Sequence, residues 1–586
     1  MGQETVNAPF GMTGAAAVAH IIAQQADPVV FGMPGGYSMY IYDALYAVRD
    51  RVATHLVRQE SVATVMAEAH GRLTGRPAFV IAQGAWVLGN AGIGIMEAHL
   101  GASPMVLLID ATEGGSYSHL GPYQGGLSGY GSYDLAGALR AITKRTFVAQ
   151  DPTQALQMTQ LAVKHAMTGE PGPVAVIFTA RALLQKLGSA SEPQNYPDRG
   201  YAAARAVTDG PAIDAAADLL RLAERPVIIA GNGIRLAQAE TALAEFAARH
   251  GIPVATTPAG KGVFPEASDL ALGVIGGFGH DTANRVVGAA DLLLALGTKL
   301  GATDTANANR ELIDLTRQKL VQVDVEPLNL GWTFPADILV QGDAKDALPR
   351  LSAAIGDHRA AGKATVAEAR LLDGYFDRAQ TSRPGVLSAR DVVQMLSHSL
   401  PADTVVTCDA GENRLFVLRD YQTRAGGTVL QPNGGGGMGY ALPSAMAAAQ
   451  AFPGRTAVAV CGDGGIAMSL HSLISAVELG LKMIVVVLDN GVLGWVYSGQ
   501  ADRRIASEFK DFDYAAIAAA IGCRARSVDT LDDFAEELDA ALIHDGVSLI
   551  VARTGREDRY QDMMAALNSV DIYSVANKSK TGPAAR

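Results

Sequence analysis

Short apolar runs alternate with helical patterns from about residue 28 to residue 552, and nothing else in this chain restricts its fold as tightly. Runs at 28–32, 78–82 and 105–110 are interleaved with helical stretches at 37–48 and 89–100. A strand that returns parallel to its predecessor needs a crossover of a dozen residues or more, which a helix supplies. Repeated alternation therefore predicts mostly parallel sheets covered by helices on both faces. The pattern recurs with strands at 226–230, 291–296 and 320–325, and again at 404–408, 456–460, 483–488 and 547–552. A chain of 586 residues is too long for one hydrophobic core. The expected architecture is three doubly wound α/β domains at 1–187, 205–352 and 375–557. Residues 188–200, with Ser, Pro, Asn and Asp, read as a linker, and 357–380 as a charged helical connection. The tail at 558–586 carries Met563, Met564, Leu567 and Tyr573, and reads either as a lid or as an unstructured end.

Composition narrows the function. Apolar residues make up 49 % and charged residues 18 %, enough to bury sizeable cores. The net charge of -12, with no Lys/Arg cluster, argues against nucleic acid as a partner. No apolar run reaches the roughly 18 residues of a membrane helix, and the first ten residues lack a basic, apolar leader, so a cytoplasmic enzyme is expected. Cys408, Cys461 and Cys523 fit neither a CxxC pair nor a zinc site and read as buried small hydrophobes.

The sharpest motif is Cys461-Gly462-Asp463-Gly464-Gly465, between an apolar run and a helical stretch at 466–479. A strand, a glycine turn and a helix start present backbone N–H groups that a diphosphate can approach. Asp489-Asn490-Gly491 follows the next strand. In a parallel sheet both turns lie at the carboxyl edge, so Asp463 and Asn490 can converge on one ion. Oxygen donors of this kind suit magnesium, which bridges to phosphate oxygens.

With this pair of turns the chain resembles the thiamine-diphosphate enzymes, and among them the acetolactate synthase group. The resemblance implies thiamine diphosphate with Mg2+ held by Asp463, Asn490 and the carbonyl of Val492, and a diphosphate cradled by Gly462, Gly464 and Gly465. The first domain then binds the cofactor's pyrimidine and the third its diphosphate. Val57-Arg58-Gln59-Glu60 is similar to the family's Arg-His-Glu element, which makes Glu60 the glutamate that supports the imino tautomer of the aminopyrimidine. Gly434-Gly435-Gly436-Gly437-Met438-Gly439 is similar to the segment beneath the bent cofactor, with Met438 as the wedge and the Gly436 carbonyl as an acceptor. Glycines suit a backbone that closely approaches a flat ring. Gly411 and Asn413 resemble a second diphosphate contact. The family arrangement implies a homodimer at least, often a tetramer, with no membrane partner.

For the central domain the resemblance implies FAD in some members, ADP or coenzyme A in others, and nothing in the rest. Thr298-Lys299-Leu300-Gly301 stands where acetolactate synthases have an Arg-rich turn, and Lys261 reads either as a phosphate contact or as a solvated loop lysine. Around the substrate, Gly36 corresponds to a position that is glycine in acetolactate synthases and leaves room for an acceptor, with Tyr37 beside it. Gln83 stands where some decarboxylases have a functional histidine, and Trp86 follows in the same loop. The family's Phe-Gln-Glu element is absent from the Gly- and Tyr-rich stretch 116–134, where Gln124 is the candidate replacement, and Gly499 aligns with the acceptor-selecting tryptophan. The implied activity is a carboligase or lyase acting on a 2-oxo acid or acyloin through a C2 carbanion/enamine. The alternatives are a 2-hydroxyacyl-CoA lyase and a simple 2-oxo acid decarboxylase.

Overall fold

The computed structural model describes residues 11–112, 123–188, 208–425 and 429–567. Within these residues lie three six-stranded parallel sheets. The first contains β1 (Val29–Gly32), β2 (Ala53–Leu56), β3 (Ala78–Gln83), β4 (Met105–Asp110), β5 (Arg145–Ala149) and β6 (Pro173–Phe178), in the order β2-β1-β3-β4-β6-β5. The second contains β7 (Pro226–Ala230), β8 (Val254–Thr256), β9 (Ala271–Val274), β10 (Leu292–Leu296), β11 (Lys319–Asp324) and β12 (Ile338–Gln341), in the order β12-β11-β10-β7-β8-β9. The third contains β13 (Val405–Cys408), β14 (Val429–Leu430), β15 (Ala457–Gly462), β16 (Met483–Asp489), β17 (Arg524–Val528) and β18 (Val547–Arg553), in the order β14-β13-β15-β16-β18-β17. Counted within each domain, the first and third sheets have the same order. Their kinship, which the sequence does not display as a repeat, lies in the topology.

Strands β3, β4 and β6 are buried along their whole length, because helices cover both faces. That burial explains their unbroken apolar runs, where a half-exposed strand would alternate. The three cysteines are buried as expected.

The described residues fall into two compact units. One holds Met1–Ala206, Thr381–Arg414 and Thr428–Glu557, and so both the first and the third sheets. Within it a single apolar cluster runs from Val65 and Met66 to Leu442 and Met446. Here the helix Glu60–Thr74 lies on the helix Ala441–Ala451, whose sequence ALPSAMAAAQA is small enough to allow close approach. The other unit holds Val207–Gln380, Leu415–Gly427 and Asp558–Arg586, built on the second sheet.

Several local expectations are corrected. The stretch 37–48 is a 3-10 turn (Gly36–Ser38), a helix (Met39–Leu45) and a second 3-10 turn (Tyr46–Val48). The helix expected at 89–100 is two helices, Gly84–Asn90 and Gly92–Leu100, so Trp86 sits on a helix and not in a loop. The helix expected from 466 starts earlier, at Asp463, and breaks before resuming at Ser472–Glu478. Of the tail, residues 558–567 belong to the second unit: Met563 is buried and the Ala565 N–H donates to the Gly277 carbonyl. Tyr573 and nearly all of the linker at 188–200 lie outside the described residues.

Lys261 is neither solvated nor a phosphate contact. It is fully buried, and its ammonium donates to both oxygens of Glu266 at 2.6 and 2.7 Å, while the Thr423 N–H donates to the same carboxylate at 2.9 Å. Removing one partner of a buried pair leaves the other charge uncompensated, a loss of about 3–5 kcal/mol. Lys261→Met is therefore expected to lower the thermal midpoint of the protein by several degrees, and Lys261→Met with Glu266→Met to recover much of it. Calorimetric melting of the three proteins checks this.

Candidate active site

In a doubly wound sheet, ligands gather where the strand order reverses, outside the carboxyl ends of the strands. The first sheet reverses between β1 and β3, the third between β13 and β15. Gly36, Tyr37 and Gln83 lie at the first point and Gly411, Asn413 and Gly462 to Gly465 at the second, while Glu60 follows β2, Gly436 and Met438 follow β14, and Asn490 and Val492 follow β16.

At the first point, Gly36 and Tyr37 follow β1, and Gln83 ends β3. A cavity of about 380 Å³ opens here, lined by Gly36, Tyr37, Met39, Tyr40, Gln83, Thr112, Tyr123 and Gln124. The Gln83 amide donates to the Gln124 side-chain carbonyl, so the structure brings together two residues that the sequence offers as separate candidates for the substrate pocket. Asp110, at the end of β4, organises the floor. Its carboxylate accepts from the backbone N–H groups of Tyr37, Ser38 (2.9 Å) and Gly84 (3.3 Å), and burial raises its pKa. Gly36 has φ +51, and a Cβ placed on it would stand 2.4 Å from Asp110 Oδ2 and 3.0 Å from Gln83 Nε2. Glycine at this position thus answers to the Asp110 carboxylate and the backbone conformation as well as to space for an acceptor.

Glu60 is the first residue of the helix Glu60–Thr74, reached from β2 through Val57, and is only 2 % exposed. The Asn90 side-chain amide donates to its Oε2 at 3.0 Å. Asn90 went unnoticed in the sequence because a lone asparagine after a glycine carries no signal. Arg58, in the same element, donates instead to Glu478 on the helix Ser472–Glu478.

At the second point, Gly411 (φ +109) and Asn413 follow β13, and the Asn413 amide donates to the Asp409 carbonyl at 2.9 Å. A Cβ on Gly462 would lie 3.8 Å from Asn413 Oδ1, so this turn rests directly against the glycine-rich one. Asp463 accepts from the Gly464 N–H on Oδ1 and from the Gly491 N–H on Oδ2, both at 2.7 Å, which ties the two turns together. Burial pushes the Asp463 pKa up to about 7 against the Gly464 N–H, which lowers it, and the neighbouring Asp489 carboxylate adds to the rise. Asn490 Oδ1 accepts from the Val492 N–H at 3.2 Å. Val492 pairs with Glu508 through the Gly491 carbonyl and the Leu493 N–H. Strand alternation turns the N–H and carbonyl of Val492 itself to the opposite side.

Asp409, just past the end of β13, carries no signal of its own in the sequence. It is fully buried, its Oδ1 accepts from the Ala441 N–H at 2.7 Å, and burial pushes its pKa up to about 6. A Cβ on Gly465 would stand 2.1 Å from its Oδ2, which is why that residue is glycine.

Three family models match this chain. Residues 12–128 match the thiamine pyrophosphate enzyme N-terminal TPP binding domain, 213–351 the central domain and 409–552 the C-terminal TPP binding domain. The chain belongs to the thiamine pyrophosphate enzyme family.

Among its relatives, the probable acetolactate synthase large subunit of Methanocaldococcus jannaschii is 28 % identical over 551 residues, covering 91 % of this chain and 90 % of that protein. The acetolactate synthase large subunit of Parasynechococcus marenigrum is 28 % identical, covering 97 % and 88 %. The acetolactate synthase isozyme 3 large subunit of Escherichia coli is 28 % identical, covering 86 % and 87 %. As a thiamine pyrophosphate enzyme this protein forms or cleaves carbon–carbon bonds. The donor set at and beside its second reversal point fits a hard cation: the Asp463 carboxyl next to Asp489, with amide and carbonyl oxygens from Asn490 and Val492 after β16. No group of three or more His, Cys, Asp or Glu suited to a metal occurs among the described residues. No described helix is long and apolar enough to cross a membrane.

Proposed function

We propose that this protein is a magnesium-assisted carboligase or lyase of the acetolactate synthase type, acting on a small 2-oxo acid or acyloin. Its relatives' activity and its own cavity support the same reading. The observation that carries it is the lining of that cavity. Apart from tyrosine hydroxyls, its eight described lining residues carry amide, hydroxyl and apolar groups, and the one carboxyl at its floor, Asp110, is occupied by three backbone N–H groups. A reaction that ends in protonation and release of an aldehyde is served by a general acid close by. This wall offers amide N–H groups from Gln83 and Gln124, which donate to a carbonyl oxygen without giving up a proton. It therefore suits a second carbonyl substrate better than a proton transfer.

Thiamine diphosphate supplies, when bound, a nucleophilic carbon and a sink for the electrons released at the substrate carbonyl. Glu60 holds or accepts the proton that governs the aminopyrimidine tautomer, and its burial at a helix start keeps water from that carboxylate. Asn90 orients the carboxylate through Oε2. Asp463, Asn490 and the Val492 carbonyl would hold magnesium, and Gly411, Asn413, Gly462, Gly464 and Gly465 would line the diphosphate. Tyr37 and Gln83 orient the substrate carbonyl. The reading includes a cytoplasmic homodimer or tetramer. It assigns no FAD to the central domain, because Lys261, the candidate phosphate contact, is buried and paired with Glu266. The purified protein is accordingly expected to show no flavin absorbance.

The test is the product ratio, by chromatography, from one 2-oxo acid donor with a saturating aldehyde acceptor. Wild type is expected to yield a 2-hydroxy ketone as the main product, and Gln83→His to shift the ratio several-fold toward aldehyde. Aldehyde alone from wild type, with or without acceptor, contradicts the carboligase reading.

A further inference from the structure

The run Gly434 to Gly437 is commonly explained by the flat ring it must approach, yet three of its four glycines face this chain's own first domain. The helix Gly92–Leu100 presents Ile93, Glu97 and Leu100 along one stripe, at i, i+4 and i+7. A Cβ on Gly437 would stand 2.5 Å from Ile93 Cδ1, one on Gly435 2.8 Å from Glu97 Oε2, and one on Gly434 2.2 Å from Leu100 Cβ. Gly436 alone of the four has nothing within 4 Å of such a position, and it has φ +64.

Glu97 stands at the centre of the stripe and is 1 % exposed. Its Oε1 accepts from the N–H groups of Asn433 and Gly434 (2.8 Å), and its Oε2 from those of Gly435 (2.8 Å) and Gly436 (3.2 Å). Four successive backbone N–H groups thus converge on one carboxylate. Hydrogen bonds to an ionised acceptor contribute more than neutral ones, and a carboxylate has the four lone-pair sites this arrangement needs. The opposite side of the loop is open, with Gly434, Gly435 and Gly436 exposed.

The flanks are pinned by the same domain. Arg72 donates to the Gln431 carbonyl at 2.6 Å, and the Tyr440 hydroxyl donates to Glu68 at 2.6 Å, all of them buried. Of these contacts only the Glu97 carboxylate reaches the segment between the flanks.

We propose that Glu97 is a positioning residue: its carboxylate fixes the curvature of residues 433–436 and so sets the Gly436 carbonyl and Met438 for the cofactor. This rests on the proposed reading of Gly436 and Met438 as cofactor contacts. A glutamine at 97 has nearly the same shape, but its NH2 faces at least two of the four N–H donors. Glu97→Gln therefore loosens the loop while leaving the surrounding apolar packing in place.

The test has two readouts. In the cofactor-free protein, amide hydrogen exchange read by mass spectrometry is expected to show residues 433–436 protected in wild type and at least tenfold less protected in Glu97→Gln, with the helix Ala441–Ala451 unchanged. In calorimetric titration with thiamine diphosphate and magnesium, the variant is expected to bind at least tenfold more weakly at an unchanged thermal midpoint. Gly435→Ala, whose Cβ would press on Glu97 Oε2, is expected to reproduce both effects and guards against a folding defect in the first variant. Wild-type protection and affinity in Glu97→Gln and in Gly435→Ala would overturn the proposal. If wild type itself does not bind thiamine diphosphate, the underlying reading fails instead.

Discussion

In Glu60→Gln, turnover falls by roughly two to four orders of magnitude while thiamine diphosphate still binds. The carboxylate sits at the first position of a buried helix, with Asn90 donating to one oxygen. Glutamine fits the same space, and its carbonyl oxygen can still accept from Asn90. It cannot, however, hold or release the proton that the aminopyrimidine exchanges in each cycle. The loss should appear in kcat, with little change in cofactor affinity measured by calorimetry. A variant that keeps wild-type kcat removes Glu60 from the chemistry, and one that loses cofactor binding altogether makes its role structural.

Asp463→Ala is expected to abolish magnesium-dependent binding of the cofactor. Two effects act together. The ion loses its anionic ligand, and a partner lying behind the ligands of a metal site already costs about 10–100-fold when removed, so a direct ligand should cost more. The turn that carries Asn490 also loses its anchor, because the Gly491 N–H donates to Asp463. Titration of thiamine diphosphate with and without magnesium separates the outcomes. Wild type should bind at least about a hundredfold more tightly with the ion, and the alanine variant should show no difference. Equal gains from magnesium in both proteins would place the cation elsewhere.

Most of the fold was legible because its signals are local and repeated. Fully buried strands such as β4 announce themselves as apolar runs, and the glycine turns after β15 and β16 mark the carboxyl edge. Helix boundaries were less readable. The break at Ala91 falls among Gly89, Asn90 and Gly92, residue types that weaken a helix without fixing where it stops. At the site, the two turns that the sequence places at one sheet edge do meet, through the Gly491 N–H on Asp463. The supporting residues were hidden for a different reason. Asn90, Glu97, Asp110 and Asp409 act on partners at least 30 residues away, and a single polar residue in an apolar helix or at the end of an apolar strand looks the same whether it is solvated or bonded to distant backbone. Lys261 shows the converse: a loop lysine by sequence, it is a core residue because Glu266, five positions on, turns back to meet it.

The most direct test of the whole account is the rate at which the C2 hydrogen of bound thiamine diphosphate exchanges with deuterium, read by proton NMR after acid quenching. The account predicts exchange far faster in the wild-type holoenzyme than in free cofactor, and exchange slowed toward the free rate in Glu60→Gln. Bound cofactor that exchanges no faster than free cofactor, or a glutamine variant that exchanges as fast as wild type, would contradict it.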